Sequence, residues 1–94
     1  MVKVDIYIPK EPVHPYMRLR ARLLSHFHDM TEAPMCIGVW RGDNSTYQEG
    51  VTVITLLLSV SNVPMIERML RQYKEDAKQE AVLFTVSPIT MHLL

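Results

Sequence analysis

The sequence of 94 residues contains little glycine and almost no cysteine. Its three glycines, Gly38, Gly42 and Gly50, are too scattered to form a glycine-rich phosphate-binding loop. Cys36 is the only cysteine, so no intrachain disulfide can form, which agrees with a reducing compartment. The spacings of a nucleophile elbow and of a zinc finger are also missing. No motif of this kind therefore predicts a particular reaction.

The sequence also has no excess of charge and no long hydrophobic run. Ten basic and ten acidic residues balance, so the chain has no diffuse positive field for nucleic acid or an anionic membrane, and we expect neither partner. The longest apolar run, Ile54 to Val60, contains Thr55 and Ser59 and is too short to span a bilayer. The first residues lack the basic and apolar segments of a signal peptide, so we expect a cytoplasmic protein.

Six prolines divide the chain into segments with distinct patterns. Val2 to Ile8 alternates apolar and polar residues, which predicts a strand. After a turn containing Pro9, Pro12 and Pro15, apolar residues recur at steps of three and four up to Met30, which predicts an amphipathic helix of about four turns. A second helix should begin at Pro64, with the N-cap supplied by Ser61-Asn62, and should bury Ile66, Met69, Leu70, Tyr73 and Ala77.

Three further segments are predicted to be strands. Met35 to Arg41 and Val51 to Val60 are rich in β-branched and aliphatic residues, and Gly42-Asp43-Asn44-Ser45 between them favours a turn, so they should form a hairpin. The second of them is apolar on both faces, which is typical of a central strand covered on both sides. Val82 to Val86 is predicted to be the last strand, interrupted by Pro88 before a short apolar tail.

The predicted order βαββαβ indicates one domain, residues 1–94, of the α+β class. Two right-handed βαβ units joined by a hairpin predict a ferredoxin-like sandwich, in which a four-stranded antiparallel sheet of order 4-1-3-2 carries both helices on one face. The open face should carry Lys3, Asp5 and Tyr7 beside Val53, Thr55 and Leu57. The apolar fraction of 48% is high for so small a body, so we expect a homodimer or a higher homo-oligomer.

Two short stretches carry a resemblance to known proteins. The first is Gly-Val-Trp-Arg-Gly at 38–42, and the second is Tyr73-Lys74 followed by Gln79-Glu80-Ala81-Val82-Leu83. They resemble a family of small uncharacterised bacterial proteins, a domain of unknown function, whose members share a tryptophan-containing strand before a turn and a Tyr-Lys…Gln-Glu run before the last strand. The resemblance covers about residues 30–87. It implies the ferredoxin-like fold and no activity, because the family has none assigned.

Two sets of residues are candidates for a ligand site. Lys3, Asp5 and Tyr7 share one face of a central strand, and ionisable groups enclosed by a second sheet often mark binding or catalytic sites. A hydrogen-bonded interface network is the alternative. The hairpin carries a dense mixture of aromatic and charged residues that could recognise a small ligand or a protein, namely Trp40, Arg41, Tyr47 and Glu49. The alternative there is edge packing, with charges that prevent aggregation.

Other clusters are weaker candidates. His26, His28, Asp29 and Glu32 include typical metal ligands, but His26 and His28 lie about 200° apart on a helix, so we assign no metal and no cofactor. Arg18, Arg20 and Arg22 suggest an anion site, although only two of them share a helix face, and a solvated face is the simpler interpretation. Cys36 has no assignable histidine partner, so a buried, inert thiol is expected.

Two functional hypotheses remain from the sequence. The first is a non-catalytic homo-oligomeric module for protein interaction or small-ligand binding, because a small neutral chain carries surplus apolar surface. The second is a small enzyme of the dimeric α+β barrel type acting on a small organic substrate, which is supported by fold analogy alone. A cavity with convergent polar groups would favour binding or catalysis, and a flat, packed sheet interface would favour a structural module.

Overall fold

The computed structural model describes every residue from Met1 to Leu94 and confirms the predicted βαββαβ order. The elements are β1 (Val2–Pro9), α1 (Val13–His26), β2 (Thr31–Arg41), β3 (Thr46–Leu58), α2 (Val63–Asp76) and β4 (Leu83–Pro88). The strands form one antiparallel sheet in the order β2-β3-β1-β4, which is the predicted order 4-1-3-2 read from the other edge. No helix combines the length and the apolarity needed to cross a membrane.

The core lies between one face of the sheet and the two helices. β1 alternates buried and half-buried residues along its whole length, as the period of two requires. Helix α1 contributes Leu19 and Leu23, and all five predicted positions of the second helical segment are buried. Fourteen apolar residues form this core: Val2, Val4, Ile6, Ile8, Leu19, Leu23, Ile54, Leu56, Leu58, Ile66, Met69, Leu70, Tyr73 and Ala77.

Helix α1 begins earlier and ends earlier than its sequence pattern predicts. It begins at Val13, so Pro15 lies inside its first turn, where no backbone N–H is needed for an intrahelical hydrogen bond. It ends at His26, and Phe27 is already extended, with φ −125°. The predicted extension to Met30 is therefore wrong. Phe27 and Met30 still pack against the core from the connecting segment, which explains why they continue the apolar pattern.

Strands β2 and β3 both begin earlier than the sequence predicts, and β3 also ends earlier. β2 begins at Thr31 rather than Met35, and it passes through an irregularity between Ala33 and Cys36. Pro34 lies there and cannot donate to a ladder, a defect that an edge strand tolerates. β3 begins at Thr46 rather than Val51 and ends before Val60, which belongs to a short 3-10 turn. The turn at residues 42–45 is as predicted.

Three smaller expectations are corrected. Asn62 is the N-cap residue of α2, but its side chain makes no capping hydrogen bond. Pro88 is the last residue of β4, paired with Val2, and does not interrupt the strand. β3 is central, yet only its helix-facing side is covered within one chain: Leu57 on the opposite side is 49% exposed. The open face of the sheet is thus uncovered in a single subunit.

A cluster of three polar residues fastens β2 to α1. Tyr16 donates a hydrogen bond from its hydroxyl to the Glu32 carboxylate, and Arg20 donates from Nε to Oε1 of the same carboxylate at 2.8 Å. Burial raises the pKa of Glu32, but these two hydrogen bonds outweigh it and hold the pKa below its usual value. Glu32 is therefore a structural anion that fixes the start of the edge strand and is not free to ligate a metal.

Candidate functional site

The hairpin of β2 and β3 extends past the end of β1. The ladder between β1 and β3 ends at Pro9 opposite Val51, and the Lys10 amide closes it with a 2.9 Å hydrogen bond to the Gly50 carbonyl. Beyond that point β2 and β3 pair only with each other. We call residues 36–50 the overhanging hairpin. No residue between 24 and 53 is buried, so this hairpin has no core of its own.

A groove of about 730 Å³ lies between the overhanging hairpin and the loop that joins α2 to β4. This volume lies within the range of small-molecule sites. Its floor is formed by the open face of the sheet, including Tyr7, Val51 and Leu83. The lining residues are Tyr7, Pro9, Gly38, Val39, Trp40, Glu49, Val51, Lys78, Gln79, Glu80, Ala81 and Leu83.

The end of α2 places the loop residues against this groove. The amides of Ala77, Lys78 and Gln79 donate to the carbonyls of Tyr73, Glu75 and Lys74, which completes the last turn. Lys78 has φ 55°, the left-handed conformation that glycine usually supplies after a helix. A lysine there costs about 1 kcal/mol relative to glycine. The loop thereby reverses direction and lines the groove with polar side chains.

Trp40 is the largest side chain of the groove, and Tyr47 supports it. The two residues are cross-strand partners, and their rings stack with centroids 5.8 Å apart and planes 20° apart. Tyr47 does not line the groove, so it supports the indole from outside. Gly42 provides the necessary space, because a Cβ there would lie 2.6 Å from Cε2 of Tyr47. The stack holds an exposed aromatic surface in one orientation.

Three charged residues of the groove have no ion-pair partner. The four ion pairs of the chain are Lys3–Asp5, Arg18–Asp76, Arg20–Glu32 and Arg71–Glu67, and none of them involves Glu49, Lys78 or Glu80. The charge of Glu49 acts on its surroundings. Burial raises the pKa of the Tyr73 hydroxyl, and the negative charge of Glu49 raises it further. Two carboxylates and one ammonium therefore give the groove a net negative charge.

The structure brings together only part of the predicted site. Tyr7, Trp40 and Glu49 line the groove, and Tyr47 lies behind Trp40. Arg41 belongs to the far turn of the hairpin, in a separate shallow cleft.

Lys3 and Asp5 lie toward the opposite end of β1, away from the groove. Asp5 accepts a 2.6 Å hydrogen bond from the Thr55 hydroxyl and pairs with Lys3 at 3.4 Å, so both of its oxygens are satisfied. This is the arrangement expected of a network that supports the sheet face.

Sequence reasoning did not identify the loop residues Lys78, Gln79 and Glu80 as site residues. Gln79 and Glu80 belong to the stretch that carries the family resemblance, which is the only signal for them. Nothing in a single sequence indicates that this loop faces the β2–β3 hairpin, whose groove-lining residues lie about 30 to 40 positions earlier in the chain.

The weaker candidates do not form sites. No three His, Cys, Asp or Glu side chains converge anywhere in the chain, so one subunit does not provide a ligand set for a metal ion. Arg18 and Arg20 are each bound to a carboxylate of this chain, so the three arginines do not form a joint anion site. Arg22 keeps one buried nitrogen without a partner. Cys36 is half-exposed rather than buried, with Sγ 3.4 Å from the Ala33 carbonyl oxygen.

Comparison with solved structures shows where this architecture occurs. CutA1 from Shewanella sp. SIB1 superposes with a TM-score of 0.80 at 14% sequence identity, covering 98% of this chain and 83% of that one. The divalent cation tolerance protein (Cut A1) from Thermus thermophilus gives a TM-score of 0.74 at 12% identity, covering 99% and 88%. The chain has the CutA fold. The PII-like protein CutA from Nostoc sp. PCC 7120 also matches, with a TM-score of 0.66 at 19% identity, covering 95% and 81%.

These likenesses extend over nearly the whole chain, so the CutA fold accounts for every element, including the overhanging hairpin. No protein-family model and no curated protein matches the sequence. At such low identity the comparison establishes the fold only. The name of the Thermus protein refers to divalent cations. In this subunit no three His, Cys, Asp or Glu side chains converge as a set of metal ligands.

Proposed function

We propose that this protein is a non-catalytic homo-oligomeric module with the CutA fold, whose subunits associate through their sheet edges and whose groove binds a small molecule. The observation that carries the proposal is the apolar surface left exposed at both edges of the sheet. On the β2 edge, Met35 and Ile37 are 86% and 67% exposed. On the other side, Val86 of β4 and the terminal Leu93 and Leu94 are exposed as well.

These two edges are different surfaces, which favours a head-to-tail contact. An unpaired edge strand offers a row of free N–H and C=O groups, and large apolar side chains beside it favour pairing with another chain. Contacts between unlike surfaces close into a ring when the rotation between copies permits it. A trimer is the smallest ring that contacts between unlike surfaces can close, and it is the size that we propose.

The groove supports binding better than catalysis. Its lining contains no serine, threonine, cysteine or histidine, so it offers no pairing of a hydroxyl or thiol nucleophile with an imidazole base. What it offers is an aromatic surface, a carboxamide and unpaired charges around an open volume. These groups recognise a ligand by stacking and charge.

Native mass spectrometry of the purified protein, with light scattering at the same concentration, tests this proposal. We expect one closed assembly, and any retained small molecule would appear as added mass. A monomer at micromolar concentration would contradict the proposed assembly.

A pair of variants locates the contact. Ile37→Lys places a charge on the exposed β2 edge and should dissociate the assembly. Met17→Lys makes the same kind of change at a half-exposed position on α1 and should leave the assembly intact. Equal behaviour of the two variants would show that the β2 edge is not the interface.

A further inference from the structure

The groove contains two kinds of group that together define a ligand class. One is the indole of Trp40, which is 48% exposed. The other is the pair of carboxylates, Glu49 on β3 and Glu80 on the loop, neither of which is neutralised by an ion pair. An aromatic face and a carboxylate both attract a positive charge, and neither attracts an anion.

The aromatic contact is already organised in the free subunit. Tyr47 stacks on Trp40 from outside the groove, and the space above Gly42 accommodates the tyrosine ring. While the hairpin is formed, the stack holds the indole in one orientation, which removes part of the entropic cost of binding. Gly38 keeps the floor beside Trp40 low, since it projects no side chain toward Val51.

The charged side chains of the groove favour a positively charged ligand. Glu49 and Glu80 outnumber Lys78, and the field of Glu49 extends as far as the buried Tyr73 hydroxyl, whose pKa it helps to raise. Lys78 opposes a cation but forms no ion pair that would cancel either carboxylate within this chain.

We propose that this groove binds a small organic cation, with the Trp40 indole as its aromatic contact and the Glu49 carboxylate as its counter-charge. The inference rests on the proposed function of the groove as a ligand site and specifies its ligand class. Quaternary ammonium groups have this chemistry, because their positive charge is spread over methyl groups whose apolar surface packs on the indole face.

Trp40 is the only tryptophan, so its fluorescence reports on this groove alone. The probe is choline, and its control is the neutral carbon isostere 3,3-dimethyl-1-butanol, which has the same shape without the charge. We expect choline to change the Trp40 emission saturably, with a dissociation constant on the order of millimolar, and the isostere to bind several-fold more weakly. Equal responses to the two probes, or no saturable response to choline, would overturn the proposal.

Two charge variants give opposite expected results. Glu49→Gln should weaken choline binding by roughly three- to tenfold, and Lys78→Gln should strengthen it by a smaller factor. Glu75→Gln, a change to an exposed glutamate of α2 that does not line the groove, should have no effect. The reverse order, with weakening by Lys78→Gln, would identify an anion site and overturn the proposal.

The oligomeric state is read independently by light scattering in the same samples. If the assembly is intact but does not bind choline, the proposed ligand class is wrong and the proposed assembly is retained. A monomer that binds choline would reject the assembly and retain the ligand class.

Discussion

Arg18 of α1 and Asp76 at the end of α2 are joined by two parallel hydrogen bonds. Nε of the guanidinium donates to Oδ2 at 2.7 Å, and Nη2 donates to Oδ1 at 2.8 Å. This fork connects the two helices at the solvent side of their contact, between residues 58 positions apart in sequence. Bidentate geometry is the strongest form of an arginine–carboxylate pair, so it sets the relative position of the helices more firmly than a single contact would.

The fork makes stability sensitive to acid. The hydrogen bonds from Arg18 lower the pKa of Asp76, and burial opposes this only in part. A carboxyl with a depressed folded-state pKa contributes stability above its unfolded value, roughly 3.9. That contribution is lost as the pH falls through the lower folded-state pKa. We expect Asp76→Asn to lower the melting temperature at pH 6 and to have little effect near pH 2. Asp43→Asn, in the exposed hairpin turn, is the control and should have no effect at either pH.

Tyr16 should make stability sensitive to alkali. Burial and the hydrogen bond to Glu32 raise the pKa of its hydroxyl to about 12. Because this pKa exceeds the unfolded value of about 10, the contribution is complete below about pH 10 and is lost as the pH rises toward 12. Absorbance titration of tyrosinate should therefore lose a high-pH component in Tyr16→Phe. At neutral pH this variant should cost about 1 kcal/mol, measured by urea unfolding. An unchanged alkaline titration would contradict the assignment.

Tyr73→Phe should act in the opposite direction to Tyr16→Phe. The Tyr73 side chain is fully buried and its hydroxyl has no hydrogen-bond partner, so the folded state carries an uncompensated desolvation cost. Removing this oxygen should leave stability unchanged or raise it by up to about 1 kcal/mol. The free energies of unfolding of the two variants should be measured in urea under the same conditions, because each variant removes one tyrosine hydroxyl. A clear loss of stability in Tyr73→Phe would mean that the hydroxyl is satisfied in solution.

Gly42→Ala should disrupt the aromatic stack without unfolding the protein. The new Cβ would lie 2.6 Å from Cε2 of Tyr47, so the tyrosine ring must shift and its stacking on Trp40 must change. We expect altered Trp40 emission and near-ultraviolet circular dichroism. Gly50→Ala is the matched control, because its Cβ meets only the Lys10 side chain, at an ordinary 3.5 Å, and Gly50 does not line the groove. Identical spectra for the wild type and Gly42→Ala would show that the stack is not populated in solution.

The fold is predictable from the sequence because its patterns are local. The alternation of β1 and the three- and four-residue spacing of α2 each fix a buried face without reference to any other segment. The predicted boundaries are less accurate where tertiary context decides them. The sequence pattern places Pro15 in the turn before α1, although the first turn of the helix accepts it. The same pattern extends α1 to Phe27 and Met30, which reach the core from beyond its end.

Only part of the candidate site can be predicted from the sequence, because some of its residues come from a loop whose course depends on the folded structure. Tyr7, Trp40 and Glu49 stand out by their residue types on predicted strands. Their neighbours Lys78 and Glu80 enter the groove through a left-handed residue at the end of α2, and the sequence has no glycine there to indicate it. Lys3 and Asp5 share a strand face with Tyr7, but they lie nearer the other end of β1. The alternation of residues shows which face of the sheet a side chain occupies and does not show how far along the strand the groove extends.

If the subunits associate as proposed, the order of the overhanging hairpin depends on the neighbouring subunits. Its backbone hydrogen bonds are exposed and no buried side chain supports them, so in a lone subunit they open at a small fraction of the free energy needed to unfold β1. In the proposed assembly, pairing along the free edge of β2 would cover this backbone and suppress that opening. Amide hydrogens of residues 36–50 should then exchange slowly in the assembly and fast in a dissociated subunit, while those of β1 stay protected in both.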